Sequence, residues 1–274
     1  MEKRPVAYQL YSAREEAEKN LSGVLGALKE LGYSGVEFAG FYGHSARAVR
    51  EMLETHGLKA ISSHVPLKNI EEDMFGTIAY HQAIGCPYIA VPYLDEESRP
   101  GTSGFAHVLQ VIHRFAVLAK AGGIQVLYHN HDFEFVRLSG LYGLDFLYEA
   151  IPAELLKTEL DVCWVKYAGE DPVSYIRKYA GRCPIIHLKD YIGQKEDGST
   201  PYALIGVDEK EKKKTQAFEF RPVGYGCQDV KSILEAGIES GAQWFVVEQD
   251  QSVDRPPLKA AAMSIGTLKQ IGLQ

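Results

Sequence analysis

Asp161, His187 and Glu248 stand at the C-terminal ends of three short apolar runs, LLKTELDV, CPIIHLKD and WFVVEQD, and His129 and His131 close a fourth, GIQVLYHNH. Runs of this length and β-branched content read as strands. A strand turns alternate side chains to opposite faces, so Glu159, Asp161 and Cys163 share one face, as do His187 and Lys189. If neighbouring strands present these faces to one point, two carboxylates meet one or two imidazoles. That donor set suits Mn²⁺, Zn²⁺ or Co²⁺, with Mg²⁺ possible, better than Ca²⁺, which prefers all-oxygen shells. The expected ligands are Asp161, His187 and Glu248, with His129 as the fourth. A metal-bound histidine needs an acceptor behind its ring to fix the tautomer, and Glu159 or Asp190 could serve.

A divalent ion on a carbonyl and its neighbouring hydroxyl stabilises the enediolate formed when an α-proton leaves. Glu248, or Glu134 opposite it, removes that proton in this scheme, and the second group returns it, giving isomerisation or epimerisation. Loss of a β-hydroxyl from the same intermediate gives a dehydratase. Glu37, His64, His131, Trp164, Lys189 and Arg221 are expected to contact the substrate. Each has a plainer reading. Glu37 and His64 could form a hydrogen-bond network across the barrel mouth, Trp164 could be core, Lys189 could neutralise Asp190, and Glu134 could pair with Arg137. His44, His56, His81, His107 and His113 lie in helices or caps and are expected to be structural. Gly224 and Gly226 are only a weak signal for a phosphate-cradling turn.

The elements that must position these groups alternate along the whole chain. Strands are expected at Val6 to Leu10, GVEFAG, KAISSH, YIAVPY and the four runs above, separated by amphipathic segments that close on glycine. Leu21, Val24, Leu25, Leu28 and Leu31 mark one helix face before Gly32, and Ser45 is a good N-cap for a helix reaching Gly57. Eight strands and eight helices in 274 residues predict one (β/α)8 TIM barrel spanning 1–274. Polar groups at the ends of at least six strands favour a closed barrel over an open sheet, which would concentrate them at one switch point, and no GxGxxG follows the first strand. The rhythm breaks at about 190–224, expected to be a long loop insertion whose charged run, Glu209 to Lys214, is a solvated surface segment.

With a formal net charge of −7 and dispersed basic residues, the chain lacks the basic face that duplex binding needs. No stretch approaches the roughly 18 apolar residues of a membrane span, and the N-terminus has no signal-type apolar run, so a cytoplasmic location is expected. The four cysteines are far apart and read as reduced thiols. No internal repeat or linker is visible. A homo-oligomer is compatible with everything above.

VEFAG with YGH after it, SSHVP, YHNHDFEF, ELDVCW with DPVSYIRKYAGR, IIHLKDY and VVEQD together resemble the xylose isomerase-like TIM-barrel superfamily of sugar phosphate isomerases and epimerases. The stretch from ELDVCW to IIHLKD is also similar to inosose dehydratases. The resemblance covers nearly the whole chain. It implies a metal held by Glu, Asp, His and Glu from four consecutive strands, the last three falling on Asp161, His187 and Glu248. The first glutamate falls at about His129, a departure that leaves either His129 as ligand or Glu134 reaching back. The implied function is a metal-dependent sugar or sugar phosphate isomerase or epimerase. A lyase acting on a keto-inositol or keto-sugar is the alternative. An abasic-site endonuclease and a non-catalytic sugar-binding barrel stand further off.

Overall fold

The computed structural model describes residues 2–195, 199–207, 213–214 and 218–273. Eight strands form a closed, all-parallel barrel: β1 Val6–Gln9, β2 Gly35–Phe38, β3 Lys59–His64, β4 Tyr88–Val91, β5 Gln125–His129, β6 Leu156–Asp161, β7 Ile185–Leu188 and β8 Trp244–Val247. Each pairs with its neighbours in chain order, and β8 closes on β1 through Val6–Phe245 and Tyr8–Val247. The fold is therefore the (β/α)8 TIM barrel expected. Strands buried on both faces must be apolar throughout, which is why they read as nearly unbroken hydrophobic runs.

The barrel interior is layered. Ala7, Ile61, Ala90, Leu127, Ile185 and Val246 form an apolar plug separate from the larger core between strands and helices. Two residues further along their strands, and so on the same inner face, lie Gln9, His129, His187 and Glu248. Between β2 and β3 the pairing register shifts at Val36/Glu37, so Glu37 pairs with Ser62. Ser62 and His64 both reach inward to Glu159. The polar layer is thus a consequence of strand period, set one step above the plug.

Among the described residues there are ten α-helices where eight were expected. Two connections are split. Between β3 and β4 lie α3, Leu67–Glu72, and α4, Met74–Ala83, because Asp73 ends the first and caps the second by accepting from the Gly76 amide. Between β6 and β7 lie α7, Val162–Tyr167, and α8, Pro172–Lys178, the latter started by Asp171 and Pro172. The others are α1 Arg14–Leu31, α2 Ala46–His56, α5 Phe105–Ala121, α6 Gly143–Ala150, α9 Val230–Glu239 and α10 Pro257–Ile271. Ser45 caps α2 as its sequence suggests, and Gly32 and Gly57 end α1 and α2 in left-handed conformations.

The long segment after β7 packs back onto the rim. Asp190–Ile192 and Glu219–Arg221 form an antiparallel pair. Tyr191, Tyr202, Phe218 and Phe220 join Cys163, Trp164 and Tyr167 in an aromatic cluster of their own. Of the charged run Glu209 to Lys214, only Lys213 and Lys214 lie within the described residues, in a short parallel pairing with Ser199 and Thr200.

Candidate active site

Strand register brings the predicted ligands together. His129 pairs with Glu159, and Asp161 with His187, on adjacent strands, while the Glu248 amide bonds to Leu188 beyond the last pair of β7 and β8. Ligand atoms of His129, Asp161, His187 and Glu248 all lie within 4.8 Å of one another, as do those of His64, His129, Glu159 and His187. His129 lies between the two groups, its Nδ1 3.1 Å from Glu159 and its Nε2 3.6 Å from Asp161 Oδ2. His187 likewise has Nδ1 2.8 Å from Glu248 and Nε2 2.6 Å from Glu37. Glu159 thus stands behind the His129 ring as the acceptor that a metal-bound imidazole requires, and Glu37 sets a carboxylate against the far side of the His187 ring. Gln9 in turn donates to Glu37 at 2.8 Å, and His64 Nε2 meets Glu159 at 2.6 Å.

Asp161 divides its oxygens. Oδ1 accepts from the Cys163 and Trp164 amides, capping α7. Oδ2 is buried without a hydrogen-bond partner and faces the His129 ring and the Lys189 ammonium, the latter at 3.1 Å. An orphaned carboxylate oxygen beside two imidazoles and a second carboxylate fits a borderline divalent cation.

The acid groups of this layer are balanced by cations. Burial alone would hold His187 neutral, but the carboxylates of Glu37 and Glu159 outweigh it and raise its pKa well above the usual value. Burial works the other way on Glu248, where the nearby Lys189 and His187 win and hold it well below the carboxylate range. Lys189, 2% exposed, has Nζ 2.8 Å from Glu248, 2.9 Å from Asp250 and 3.1 Å from Asp161.

The layer opens into a cavity of about 650 Å³ at the C-terminal end of the barrel, lined by His64, His129, His131, Lys189, Glu248 and Asp250 among others. His131 stacks on Trp164 at 5.1 Å between ring centroids and leaves Nδ1 buried and unpartnered. Burial holds its pKa well below the usual value, so the ring is neutral at pH 7.

Several predicted contacts are placed elsewhere. Glu134 does not reach the cluster. Its two oxygens accept from the Tyr128 hydroxyl at 2.6 Å and the His131 amide at 2.8 Å, and burial pushes its pKa up to about 8. It bonds neither to Arg137, which donates to the Gly140 carbonyl, nor to solvent, being fully buried. Arg221 pairs with Glu219 at 2.9 Å on the hairpin and does not line the cavity. Trp164 and Glu37 are fully buried behind the lining, in the aromatic cluster and the hydrogen-bond network respectively. Lys189 turns away from Asp190, which is instead held by the amides of Tyr191, Gly224, Gly226 and Gln228. The glycine turn does cradle an anion, but one supplied by the chain itself.

Asp250 was missed, although it sits two residues beyond Glu248 and so continues the same alternation. Tyr11, Phe41 and Tyr80 also line the cavity. They come from loops and a helix, where no period announces the contact.

Likeness to solved structures agrees with this architecture. A sugar phosphate isomerase/epimerase from Parabacteroides distasonis superposes with a TM-score of 0.78 at 19% identity, covering 100% of this chain and 96% of that one. The probable 3-DHS dehydratase AsbF of Bacillus anthracis gives 0.75 at 12% identity, covering 97% and 98%. The IolI protein with a bound zinc atom gives 0.71 at 15%, covering 97% of each. No curated protein matches the sequence significantly. The model of the xylose isomerase-like TIM barrel matches residues 25–271. With its closed eight-stranded barrel and a match over nearly its full length, the chain belongs to the xylose isomerase-like TIM-barrel family.

Proposed function

We propose that this chain is a metal-dependent isomerase or epimerase that removes an α-proton from a small sugar or polyol-derived carbonyl compound. The observation that carries it is the convergence of His129, Asp161, His187 and Glu248 within 4.8 Å, beneath a cavity that His129 and Glu248 line together with Lys189 and His131. These four residues would hold the ion, Mn²⁺, Zn²⁺ or Co²⁺ by donor chemistry. Bound there, a divalent cation supplies Lewis-acid polarisation of a substrate carbonyl. Glu248 is the proton acceptor, kept ionised by Lys189 and His187. His131, neutral and with a free Nδ1, takes the second proton-transfer role that the sequence assigned to Glu134. Lys189 stabilises negative charge growing on the substrate oxygen.

A lyase outcome is the second reading, favoured by the withdrawal of Glu134. Epimerases of this kind are expected to oppose two carboxylates, whereas here a neutral imidazole completes the pair. The likeness to a probable dehydratase is consistent with either outcome.

Incubation of metal-loaded protein with ketoses and keto-inositols in D₂O tests both. Deuterium at one α-carbon with a changed stereocentre supports the leading reading, and loss of water supports the second. Fully folded protein that takes up no divalent ion and exchanges no proton overturns both.

A further inference from the structure

The cavity is larger and less polar than one sugar ring demands. Its carboxylates and its lysine gather at one end, as Lys189, Glu248 and Asp250, and from there it extends over the ends of β2, β3 and β4 against Phe41, Val65, Pro66 and Tyr80, with Asn69, Thr77 and His81 as the polar side chains beside them. The Phe41 and Tyr80 rings lie 4.2 Å apart between centroids. The Tyr80 hydroxyl is already committed to the His44 carbonyl at 2.7 Å, which leaves its ring carbons for the cavity. His81, which lines the same arm, bonds through Nδ1 to the Thr77 carbonyl, and burial keeps it uncharged. Among the described residues, this arm is lined by no carboxylate, lysine or arginine.

Cations are equally informative. Among the described residues the lining includes one lysine and no arginine. That lysine already faces three carboxylates within 3.1 Å. A phosphate, which needs arginine, lysine or a cluster of free amides, would meet the acids of Glu248 and Asp250 instead. The glycine turn that could have supplied free amides spends them on Asp190. At about 650 Å³ the cavity is of the size that encloses a ligand of two joined rings.

We infer that the substrate is an unphosphorylated sugar carrying an aromatic or similarly flat apolar substituent, with the sugar at the His129–Glu248 end and the substituent lodged against Phe41, Val65, Pro66 and Tyr80. This subsite presupposes the sugar site proposed above and adds the class of molecule it serves. Burying one ring against this wall removes enough apolar surface to separate a glycoside from its parent sugar by at least about tenfold in affinity.

Calorimetric titration of the metal-loaded protein with the α- and β-phenyl glycosides of glucose, galactose and xylose, the parent sugars, and glucose and galactose 6-phosphates tests this. At least one phenyl glycoside is expected to bind about tenfold or more tighter than its parent, and the phosphates more weakly than the parents. Phe41→Ala should erase most of that preference. Because Phe41 also packs against Phe38, Pro66→Asp is the second variant: aspartate suits the N-cap of α3, and its carboxylate charges the arm. It should abolish the preference for the phenyl glycoside over its parent sugar. Equal affinities for glycoside and parent, tightest binding of a 6-phosphate, or an undiminished preference in Pro66→Asp each overturn the inference. Deuterium exchange run on the ketoses and keto-inositols named above, since a phenyl glycoside is a locked acetal with no carbonyl to enolise, separates it from the enolising function. A phenyl preference without exchange removes the proposed reaction and keeps the subsite, and exchange on bare sugars without a preference does the reverse.

Discussion

Asp161 shows at the level of one residue how structure and chemistry share a side chain. Its Oδ1 caps α7, and its Oδ2 is left for the centre. Asp161→Asn can keep the cap through its side-chain carbonyl, so the variant should remain folded while its divalent metal content, read by atomic spectroscopy, falls by about tenfold or more. Asp161→Ala should lose the cap as well, at a further cost of about 1 kcal/mol in chemical unfolding. Lys189 makes the opposite case. Its ammonium, 2% exposed, lies within 3.1 Å of Asp161, Glu248 and Asp250 and holds the three carboxylates together. Lys189→Met leaves those acids uncompensated and should destabilise the metal-free protein by about 3–5 kcal/mol. Added Mn²⁺ or Zn²⁺ should recover part of that loss, because binding to the folded form alone is itself stabilising. Melting curves with and without chelator check it, and an equal loss in both would refute the balancing role. The identities of Asp161, His187 and Glu248 were legible because each ends an apolar run. The partners of Lys189 were not, since Asp190 is its neighbour in sequence but is drawn off by four backbone amides.

Among the elements, strand alternation carries most of the explanation. The step from Leu127 to His129, Ile185 to His187 and Val246 to Glu248 is the step from apolar plug to polar layer. It needs only the strands and their faces. The segment after β7 had no such period, and its order comes from contacts that skip along the chain, Trp164 stacking with Phe218 and Tyr191 with Phe218. Its hinge is the Asp190 cradle. A Cβ on Gly226 would come within 2.2 Å of Asp190 Oδ1 and 2.5 Å of the Tyr191 carbonyl. Gly226→Ala should therefore cost about 1–3 kcal/mol in urea unfolding and loosen the hairpin of Asp190–Ile192 with Glu219–Arg221. Protection of the amides of Gly224, Gly226 and Gln228 from hydrogen exchange should fall with it. Unchanged protection would mean that Asp190 does not organise this turn. The two extra helices have local causes: Asp73, and Asp171 with Pro172, cap new helices inside connections that strand–helix alternation counts as one helix each.

At the scale of the whole molecule, closure of the barrel makes buried ionisable groups unavoidable, and stability must answer to pH. Glu134 is the clearest instance outside the cluster of His129, Asp161, His187 and Glu248, with burial raising its pKa to about 8. The folded form then holds a proton that the unfolded chain, with an ordinary carboxyl, has released. Its contribution is complete at low pH and is lost as pH rises through the folded value, by at most about 1.4 kcal/mol per pH unit. Urea midpoints should fall between pH 5 and pH 8, and Glu134→Gln, which cannot ionise, should flatten that fall. A midpoint that climbs over this range in the parent protein, or an identical slope in the variant, would show that Glu134 does not titrate in this way. The sequence by itself determined the alternation of strands and helices, the count of eight strands and three residues of the polar cluster, Asp161, His187 and Glu248. These follow from period and composition, properties that short stretches carry alone. Only the tertiary structure decided that His129 joins the cluster while Glu134 turns to Tyr128, that Lys189 serves Asp161, Glu248 and Asp250, and that the cavity runs on to Phe41 and Tyr80. Those outcomes depend on which loop folds over which strand end, and distances across a barrel mouth are set by closure of the whole ring.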